Sequence, residues 1–309
     1  MGKKLSRIIG IVIIAVIISR LDFAELKNMF SRAETSYLIW GLALTLLSAF
    51  AKAWRWNYLK KSQGIKYGLM DSFIIYCASH LAGALTPGRV GELAKIFYLK
   101  KDGYSYGQSM FSVVWDRIFD MIFLTVFSAL GMFFFFNYFR PEIPYVLALI
   151  AAAVIIFLLA AKTKIIKKII ALFFNLLIPA KSRDYWRLNW QEFMSDLKKL
   201  KFKHYLVITL ITIMSWLVYY YQMAILAKSV GLHLPFLFLA VSVTIAGLVT
   251  MIPISYLGIG TRDIILIGLF SFFNISQETT IVFSGLILST YVVMAILGFA
   301  CWLKKPLKF

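Results

Sequence analysis

Two short motifs in the sequence place an arginine and a carboxylate just after proline and glycine residues. The residues that could bind a ligand or shape a site are Pro87, Gly88, Arg89, Gly91 and Glu92 in the first motif, and Pro253, Ser255, Gly258, Gly260, Arg262 and Asp263 in the second. Proline and glycine interrupt helices. The backbone N–H groups freed at the start of the next helix can bind an anion together with a guanidinium group. Each motif therefore predicts half of a site for a phosphate or a similar anion.

The charged pairs also permit a purely structural interpretation. If a helix starts at Val90, Glu92 lies in its first turn, where a carboxylate suits the helix dipole. Arg89 and Glu92 could then simply satisfy each other inside a hairpin, and this role is compatible with anion binding. Arg262 and Asp263 repeat the pair in type, and an exposed interfacial ion pair is the alternative there.

A third group of charges follows the first motif. Asp116 and Asp120 are four residues apart and share a helix face, with Arg117 one residue further round. Ionisable residues inside a membrane mark functional paths by default. One interpretation is charge compensation of Arg89 or Arg262, and another is a proton or cation site that couples transport. The sequence leaves both open.

Histidine and cysteine are too scattered to suggest a metal or nucleophile site. The three histidines and two cysteines are His80, His204, His233, Cys77 and Cys301. Both cysteines lie in apolar segments, which is typical of buried thiols rather than of a disulfide or a ligand set. We therefore expect no metal and no cofactor, and we assign no catalytic residue.

The elements that must position these charges are membrane helices. Hydrophobic residues make up 61% of the chain and charged residues only 15%, against about 45–50% and about 25% in soluble proteins. The net charge of +19 lies in blocks between apolar runs, which indicates membrane topology and anionic headgroups rather than a nucleic-acid partner. We predict an all-α polytopic membrane protein with one integral membrane domain, residues 1–309. The first apolar run is interpreted as a retained helix and not a cleaved signal peptide.

Six apolar runs are interpreted as full spans. They cover residues 5–19, 37–53, 110–136, 145–161, 204–227 and 280–303. Lys52, Trp54, Arg55 and Trp56 close the second run, and this mixture predicts a membrane interface at that point. Asp71 is interpreted as a structural residue near the same interface. Basic residues between about 162 and 203 alternate with apolar ones, which is typical of helices lying on the membrane surface.

Two further stretches, about 69–99 and about 234–273, each hold a long and a short apolar piece around a break. They predict re-entrant hairpins that line a cavity, because non-helical backbone at membrane depth needs protein or water around it. With both termini in the cytoplasm, 25 basic residues lie inside and five outside, as the positive-inside rule requires. The hairpins then enter from opposite faces, which predicts an inverted repeat.

The motifs also carry a family resemblance over essentially the whole chain. It rests on Leu85-Thr86-Pro87-Gly88-Arg89-Val90-Gly91-Glu92, on Asp116-Arg117-x-x-Asp120, on the 253–263 stretch and on Trp54-Arg55-Trp56. In this order they resemble the flippase-like membrane family that includes the transmembrane region of lysylphosphatidylglycerol synthases and relatives tied to polyprenyl-linked sugars. The resemblance implies lipid translocation between leaflets of a prokaryotic cytoplasmic membrane.

The sequence departs from that family in two respects. Tyr256-Leu257 stands where small residues or glycine are common, and Asp263 stands where glutamate is usual, which leaves the substrate open. In the two-part synthases, a separate soluble domain makes the aminoacyl lipid. The sequence ends six residues after its last apolar run, at Phe309, so we expect no aminoacyltransferase activity.

The leading hypothesis is a flippase for an anionic or phosphate-bearing lipid: a phospholipid, an aminoacyl-phospholipid or a polyprenyl-phosphate-linked sugar. Arg89 and Arg262 would engage the headgroup from opposite sides. The expected substrate-binding residues are Arg89, Glu92, Arg117, Ser255, Arg262 and Asp263. A membrane enzyme that transfers an aminoacyl or glycosyl group is one alternative, and a non-catalytic scaffold is another. Membrane lipids are the expected partners, whereas homo-oligomerisation and a separate lipid-modifying enzyme stay open.

Overall fold

The computed structural model of the chain describes residues 34–84, 86–135, 183–251 and 257–307. The α-helices of this part are α1 (Thr35–Ser62), α2 (Leu69–Ala84), α3 (Ala94–Lys101), α4 (Tyr106–Phe134), α5 (Arg183–Lys199), α6 (Phe202–Ser229), α7 (Phe236–Thr250), α8 (Thr261–Phe270) and α9 (Gln277–Lys304). Two 3₁₀ segments, Pro87–Leu93 and Ser271–Phe273, precede α3 and follow α8. Every regular element among these residues is helical.

Four of these helices, α1, α4, α6 and α9, are long and apolar enough to cross a membrane. Each has 28 or 29 residues and is therefore roughly 42 Å long, which exceeds the hydrocarbon core of about 30 Å. The predicted all-helical membrane fold is confirmed. The runs predicted at 5–19 and 145–161, and the first half of the basic stretch, lie outside the described residues.

The long helices approach each other closely where small residues meet. The backbone N–H of Glu34 donates to the carbonyl of Ser229 at 2.7 Å, which joins the start of α1 to the end of α6. A side chain at Gly41 of α1 would overlap Leu226 of α6. Gln222 of α6 donates to the carbonyl of Gly41 at 3.0 Å and to Thr45 at 2.7 Å. Small residues with interhelical hydrogen bonds are the usual means of packing helices in lipid.

Helices α2 and α3 form a pair that begins and ends beside the C-terminus of α9. Tyr67, just before α2, packs against Tyr104, just after α3, with ring centroids 6.0 Å apart. The hydroxyl of Tyr67 also donates to Asp102, and burial together with this carboxylate raises the pKa of Tyr67. Lys305, after α9, lies 3.4 Å from Asp71 at the start of α2, and this ion pair agrees with a structural role for Asp71.

Helices α7 and α8 form a second pair, which begins and ends beside the N-terminus of α9. Phe238 in the first turn of α7 packs on Phe273 after α8, with ring centroids 4.5 Å apart. The chain then enters α9 through the N-cap residue Ser276, whose hydroxyl accepts the backbone N–H of Thr279. The two short helix pairs therefore lie at opposite ends of α9.

The breaks differ from the predicted geometry in detail. Pro87 starts a seven-residue 3₁₀ segment and α3 begins only at Ala94, so Glu92 lies in the 3₁₀ segment and not in the first turn of an α-helix. Arg89 has a φ of 59°, a left-handed conformation that is costly for a residue with a Cβ atom. Such strain persists where the surroundings enforce it and is frequent at functional sites.

The predicted interface at the end of the second run is also wrong. Helix α1 continues nine residues beyond Ala53, to Ser62. Trp54 is 41% exposed, but Arg55 and Trp56 are fully buried. Consecutive helical residues point in directions about 100° apart, so an exposed tryptophan can precede a buried arginine. Arg55 and Trp56 are therefore core contacts of α1, whereas Trp54 faces outward.

Candidate functional site

A cavity of about 360 Å³ lies between the long helices at the middle of their length. Each of the four long helices contributes a residue from its centre or next to it. These residues are Ser48 and Ala49 of α1, Met121 of α4, Trp216 of α6, and Thr290 and Tyr291 of α9. The cavity is therefore at mid-depth in every described helix that is long enough to cross a membrane.

The described lining residues give the cavity a surplus of positive charge. Three cations line it, Lys52 of α1, Arg89 of the first 3₁₀ segment and Arg117 of α4. One carboxylate, Glu92, lies on the same wall, together with His80 of α2. With His80 neutral, the lining carries two more positive than negative charges. Such a wall favours an anion, and the low dielectric constant of the surroundings strengthens the attraction.

Two of these cations rest on aromatic rings. The ammonium of Lys52 lies 4.1 Å from the centre of the Trp216 ring, and the guanidinium of Arg89 lies 4.4 Å from that of Tyr291. In the described part of the chain neither forms an ion pair with a carboxylate. An aromatic face stabilises a cation without cancelling its charge, so both charges stay available to a bound anion.

The third cation, Arg117, is paired with Glu92. The guanidinium of Arg117 contacts Oε2 of Glu92, and Nδ1 of His80 lies 3.2 Å from Oε1 of the same carboxylate. The His80 ring also stacks on Tyr76, with centroids 5.7 Å apart. No hydroxyl or backbone N–H of the described residues donates to the Glu92 carboxylate. Arg117 and His80 are therefore its electrostatic partners in that part of the chain.

Two glycines bring Glu92 to this position. A Cβ atom at Gly91 would lie 2.0 Å from the carbonyl oxygen of Ala82, and one at Gly83 would lie 2.5 Å from Cγ of Glu92. The absence of both side chains lets the 3₁₀ segment lie directly on α2, one turn after His80. Gly91 was predicted as a backbone break, but it lies inside the 3₁₀ segment, where it permits close approach to α2.

The acidic pair on α4 does not face Arg89 or Arg262. Asp116 and Asp120 bind Arg55, which is fully buried and donates to Oδ1 of Asp116 at 2.9 Å and to both oxygens of Asp120 at 2.7 Å. Lys95 of α3 lies 3.3 Å from Oδ2 of Asp116. Two cations and two carboxylates thus form a balanced network. The charge-compensation interpretation had named the wrong arginines.

The second motif forms a separate cluster against α9. Nε of Arg262 donates to the hydroxyl of Ser284 at 2.6 Å, and Nη1 donates to the carbonyl of Leu257 at 3.4 Å. The hydroxyl of Ser284 donates to Asp263, whose other oxygen accepts the N–H of Gly260 at 2.8 Å and caps α8. Arg262 is buried and is not among the described residues that line the cavity.

The sequence of the chain matches a known protein family. The profile of the family described as "Lysylphosphatidylglycerol synthase TM region" matches residues 6–298. The chain belongs to this family. The resemblance inferred from the motifs is confirmed over nearly the whole sequence, and the family agrees with the apolar helices in describing an integral membrane protein.

Curated relatives of this family member are distant. A UPF0104 membrane protein of Methanothermobacter thermautotrophicus is 23% identical over 291 residues, which cover 88% of this chain and 86% of the relative. A UPF0104 membrane protein of Pyrococcus horikoshii is 25% identical over 176 residues, 56% of this chain and 52% of the relative. No solved structure matches the chain.

The structure brings only some of the predicted site residues together. Arg89, Glu92 and Arg117 share the cavity, whereas Arg262 and Asp263 form the cluster on α9. Gly258 and Gly260 have φ angles of 78° and 81° in the turn before α8, as expected of a backbone break. The remaining predicted residues of the second motif, Pro253 and Ser255, lie outside the described residues.

Sequence reasoning missed four polar residues that lie inside the helix packing, two of them buried and two partly buried. Lys52 and Arg55 were assigned to an interface, Lys95 was given no role, and His80 was treated as an isolated histidine. A signal existed for His80, because it lies one turn before Gly83 on the helix that the Glu92 segment must pack against. For Lys52 the signal was its spacing of three residues from Arg55 on a helix that continues to Ser62.

Proposed function

We propose that this protein moves the headgroup of an anionic membrane lipid between leaflets through the mid-depth cavity. The observation that carries the proposal is the pair Lys52 and Arg89, two cations beside the mid-depth cavity that rest on aromatic rings and have no carboxylate partner among the residues that the structure describes. A charge at this depth is costly in an empty site, and a bound anion offsets that cost. Arg117 would supply a third contact to a phosphate.

The position of apolar lining residues supports a lipid over a soluble anion. Three lining residues are exposed, and all three are apolar: Val90 (56%), Leu93 (38%) and Met121 (52%). They belong to the first 3₁₀ segment and α4, so the cavity has an apolar mouth between these two elements. In a membrane such a mouth opens to acyl chains. A lipid could place its headgroup on the cations while its tails stay in the bilayer.

The size of the cavity agrees with binding of the headgroup alone, with the acyl chains outside. A volume of about 360 Å³ is near the lower end of the roughly 300–1,000 Å³ typical of small-molecule sites. It would accommodate a phosphate with a small substituent, but not two acyl chains. A lipid substrate would therefore be bound by its headgroup only. Phospholipids, aminoacyl-phospholipids and polyprenyl-phosphate-linked sugars all present such a group.

We also propose that both short helix pairs are re-entrant and enter from opposite faces, in an inverted repeat with six full spans. Helices α2 and α7 have 16 and 15 residues, roughly 24 and 22 Å, which is too short to cross a core of about 30 Å. Their return beside opposite ends of α9 supports opposite entry. The basic loops support a cytoplasmic location for both termini.

Transport of fluorescent phosphatidylglycerol in reconstituted liposomes tests the proposal. Dithionite quenching reports how fast the labelled lipid of the inner leaflet reaches the outer one. We expect Lys52→Gln and Arg89→Gln each to slow this transfer by roughly tenfold to a hundredfold, because a hydrogen bond to a charged group is worth about 1.5–3 kcal/mol. Labelled phosphatidylcholine, which has no net charge, should move much more slowly.

Lys61→Gln is the matched control, since Lys61 lies on the same helix but is exposed and does not line the cavity. Equal transfer in wild type, Lys52→Gln and Arg89→Gln would refute the proposed site. An equal loss in Lys61→Gln would show that net charge, not the cavity, is responsible. Covalently modified lipid in the same liposomes, found by mass spectrometry, would instead favour the membrane-enzyme alternative.

A further inference from the structure

Glu92 is already paired with one of the cations that the proposed lipid headgroup would bind. The carboxylate is 2% exposed and is paired with Arg117, whose own side chain is 26% exposed towards the cavity it lines. Lys52 and Arg89 have no such internal partner among the described residues. Arg117 is therefore the lining cation for which an incoming anion must compete with a protein carboxylate.

Displacement of Glu92 from Arg117 would leave a buried carboxylate beside one remaining polar partner, His80. A buried and unpaired carboxylate is strongly disfavoured, and such a group takes up a proton instead. Nδ1 of His80 lies 3.2 Å from Oε1 of Glu92, and neither atom has a hydrogen-bond partner among the described residues, so a proton held between the two would satisfy both. A protonated His80 next to the carboxylate and a protonated Glu92 next to neutral His80 hold the same total charge.

The surroundings make this proton uptake depend on the anion. The charged groups that face His80 from neighbouring elements are the cations Lys52 of α1, Arg89 of the 3₁₀ segment, Lys95 of α3 and Arg117 of α4. The other titratable groups near it are Tyr76, Tyr219 and Tyr291 on the cavity wall and the carboxylates Asp116 and Asp120, which are held by Arg55. In the empty cavity the cations repel an added proton. A bound phosphate cancels part of that repulsion.

We propose that His80 and Glu92 form a proton-binding pair and that binding of an anionic headgroup is coupled to uptake of one proton from the solvent. The inference rests on the proposed function, because it describes the same cavity in its bound state. The headgroup takes the place of Glu92 on Arg117, and the pair then accepts the proton. Release of the headgroup reverses both steps, which ties lipid movement to proton movement.

The sign of the pH dependence follows from proton linkage. The bound state holds one proton more than the free state, so affinity for the anion rises as pH falls. The slope reaches at most tenfold per pH unit. The slope is steepest in the pH range where the His80–Glu92 pair holds the proton with the anion bound and lacks it without the anion. Measurement between about pH 6 and pH 8 covers the ordinary range of histidine titration.

Titration calorimetry of the purified full chain in detergent measures this coupling directly. The probes are short-chain phosphatidylglycerol and, separately, glycerol phosphate, which carries the phosphate without acyl chains. Binding enthalpies in buffers of different ionisation enthalpy give the number of protons taken up. We expect about one proton per bound phosphatidylglycerol in wild type near neutral pH, and much weaker binding of glycerol phosphate if the apolar mouth selects lipids.

Glu92→Gln should abolish the proton uptake and flatten the pH dependence, and should strengthen binding at pH 8 several-fold because the competitor for Arg117 is uncharged. His80→Gln is the second variant and should also reduce the uptake. Glu278→Gln is the matched control, because Glu278 is exposed at the start of α9, and it should behave as wild type. Wild-type binding without proton uptake, or unchanged uptake in Glu92→Gln, would overturn the coupling alone. Absence of any anion binding to wild type would overturn the proposed function as well.

Discussion

Replacement of Arg55 by leucine should destabilise the protein strongly, because this side chain joins three long helices. Its guanidinium donates to Asp116 and Asp120 on α4 and to the hydroxyl of Thr212 on α6, at 2.7–3.2 Å. Arg55 is fully buried. Removing one partner of a buried ion pair costs roughly 3–5 kcal/mol, since the other partner keeps its charge without compensation.

The charge count of the network predicts how that loss can be recovered. In wild type, Arg55 and Lys95 balance Asp116 and Asp120, whereas Arg55→Leu leaves one buried negative charge in excess. A double variant with Asp120→Leu is balanced again, because Lys95 still lies 3.3 Å from Asp116. Apolar replacement of both partners is often close to neutral. We expect recovery of at least about 2 kcal/mol, but not all of it, since Trp216 loses its acceptor on Asp120.

Unfolding in mixed micelles with an increasing fraction of sodium dodecyl sulfate provides the assay, with tryptophan fluorescence as the signal. The single and double variants form a double-mutant cycle with wild type. Lys61→Leu removes an exposed cation from the same helix and should change the unfolding free energy by less than about 0.5 kcal/mol. If the double variant is no more stable than Arg55→Leu, the charge balance does not explain the role of the network.

Two further predictions concern the breaks. Gly91→Ala should lower the unfolding free energy by about 1–3 kcal/mol, because its Cβ atom would lie 2.0 Å from the carbonyl oxygen of Ala82. Gly268→Ala is the control, since its Cβ atom meets nothing within 4 Å, and it should be neutral or slightly stabilising in the same assay. Similar changes in both variants would contradict the close approach of Gly91 to α2. Asp263→Asn should cost about 1 kcal/mol in thermal unfolding through the weaker cap on Gly260, whereas an unchanged midpoint would show that the cap contributes nothing.

The sequence was informative about features that depend on local chemistry. Pro87 follows the end of α2 by three residues, and Gly260 caps α8, because helix interruption is a property of the residue itself. The shared face of Asp116 and Asp120 was also predictable, since it follows from helical spacing. These features needed no knowledge of what each helix would contact.

Features that depend on a partner helix were not predictable. A basic residue near the end of an apolar run has the same sequence pattern whether it reaches a headgroup or a buried carboxylate. Arg55 lies 61 residues from Asp116 and 157 from Thr212, so only the packing of α1 against α4 and α6 distinguishes the two cases. The contacts of Lys52 with Trp216 and of Arg89 with Tyr291 also join residues that are far apart in the sequence.

The two motifs are similar in sequence but unequal in their surroundings, and this changes how a two-arginine site can work. Arg262 is fixed by Ser284 and by the carbonyl of Leu257, whereas Arg89 rests on the ring of Tyr291 in a left-handed conformation. Ser284 and Tyr291 are seven residues apart on α9, which places them on nearly the same face and roughly 10 Å apart along the axis. The α9 residue that supports Arg89 therefore lies about two helical turns from the one that binds Arg262. In the proposed transport, a compact headgroup would contact the two arginines one after the other along α9 rather than both at once.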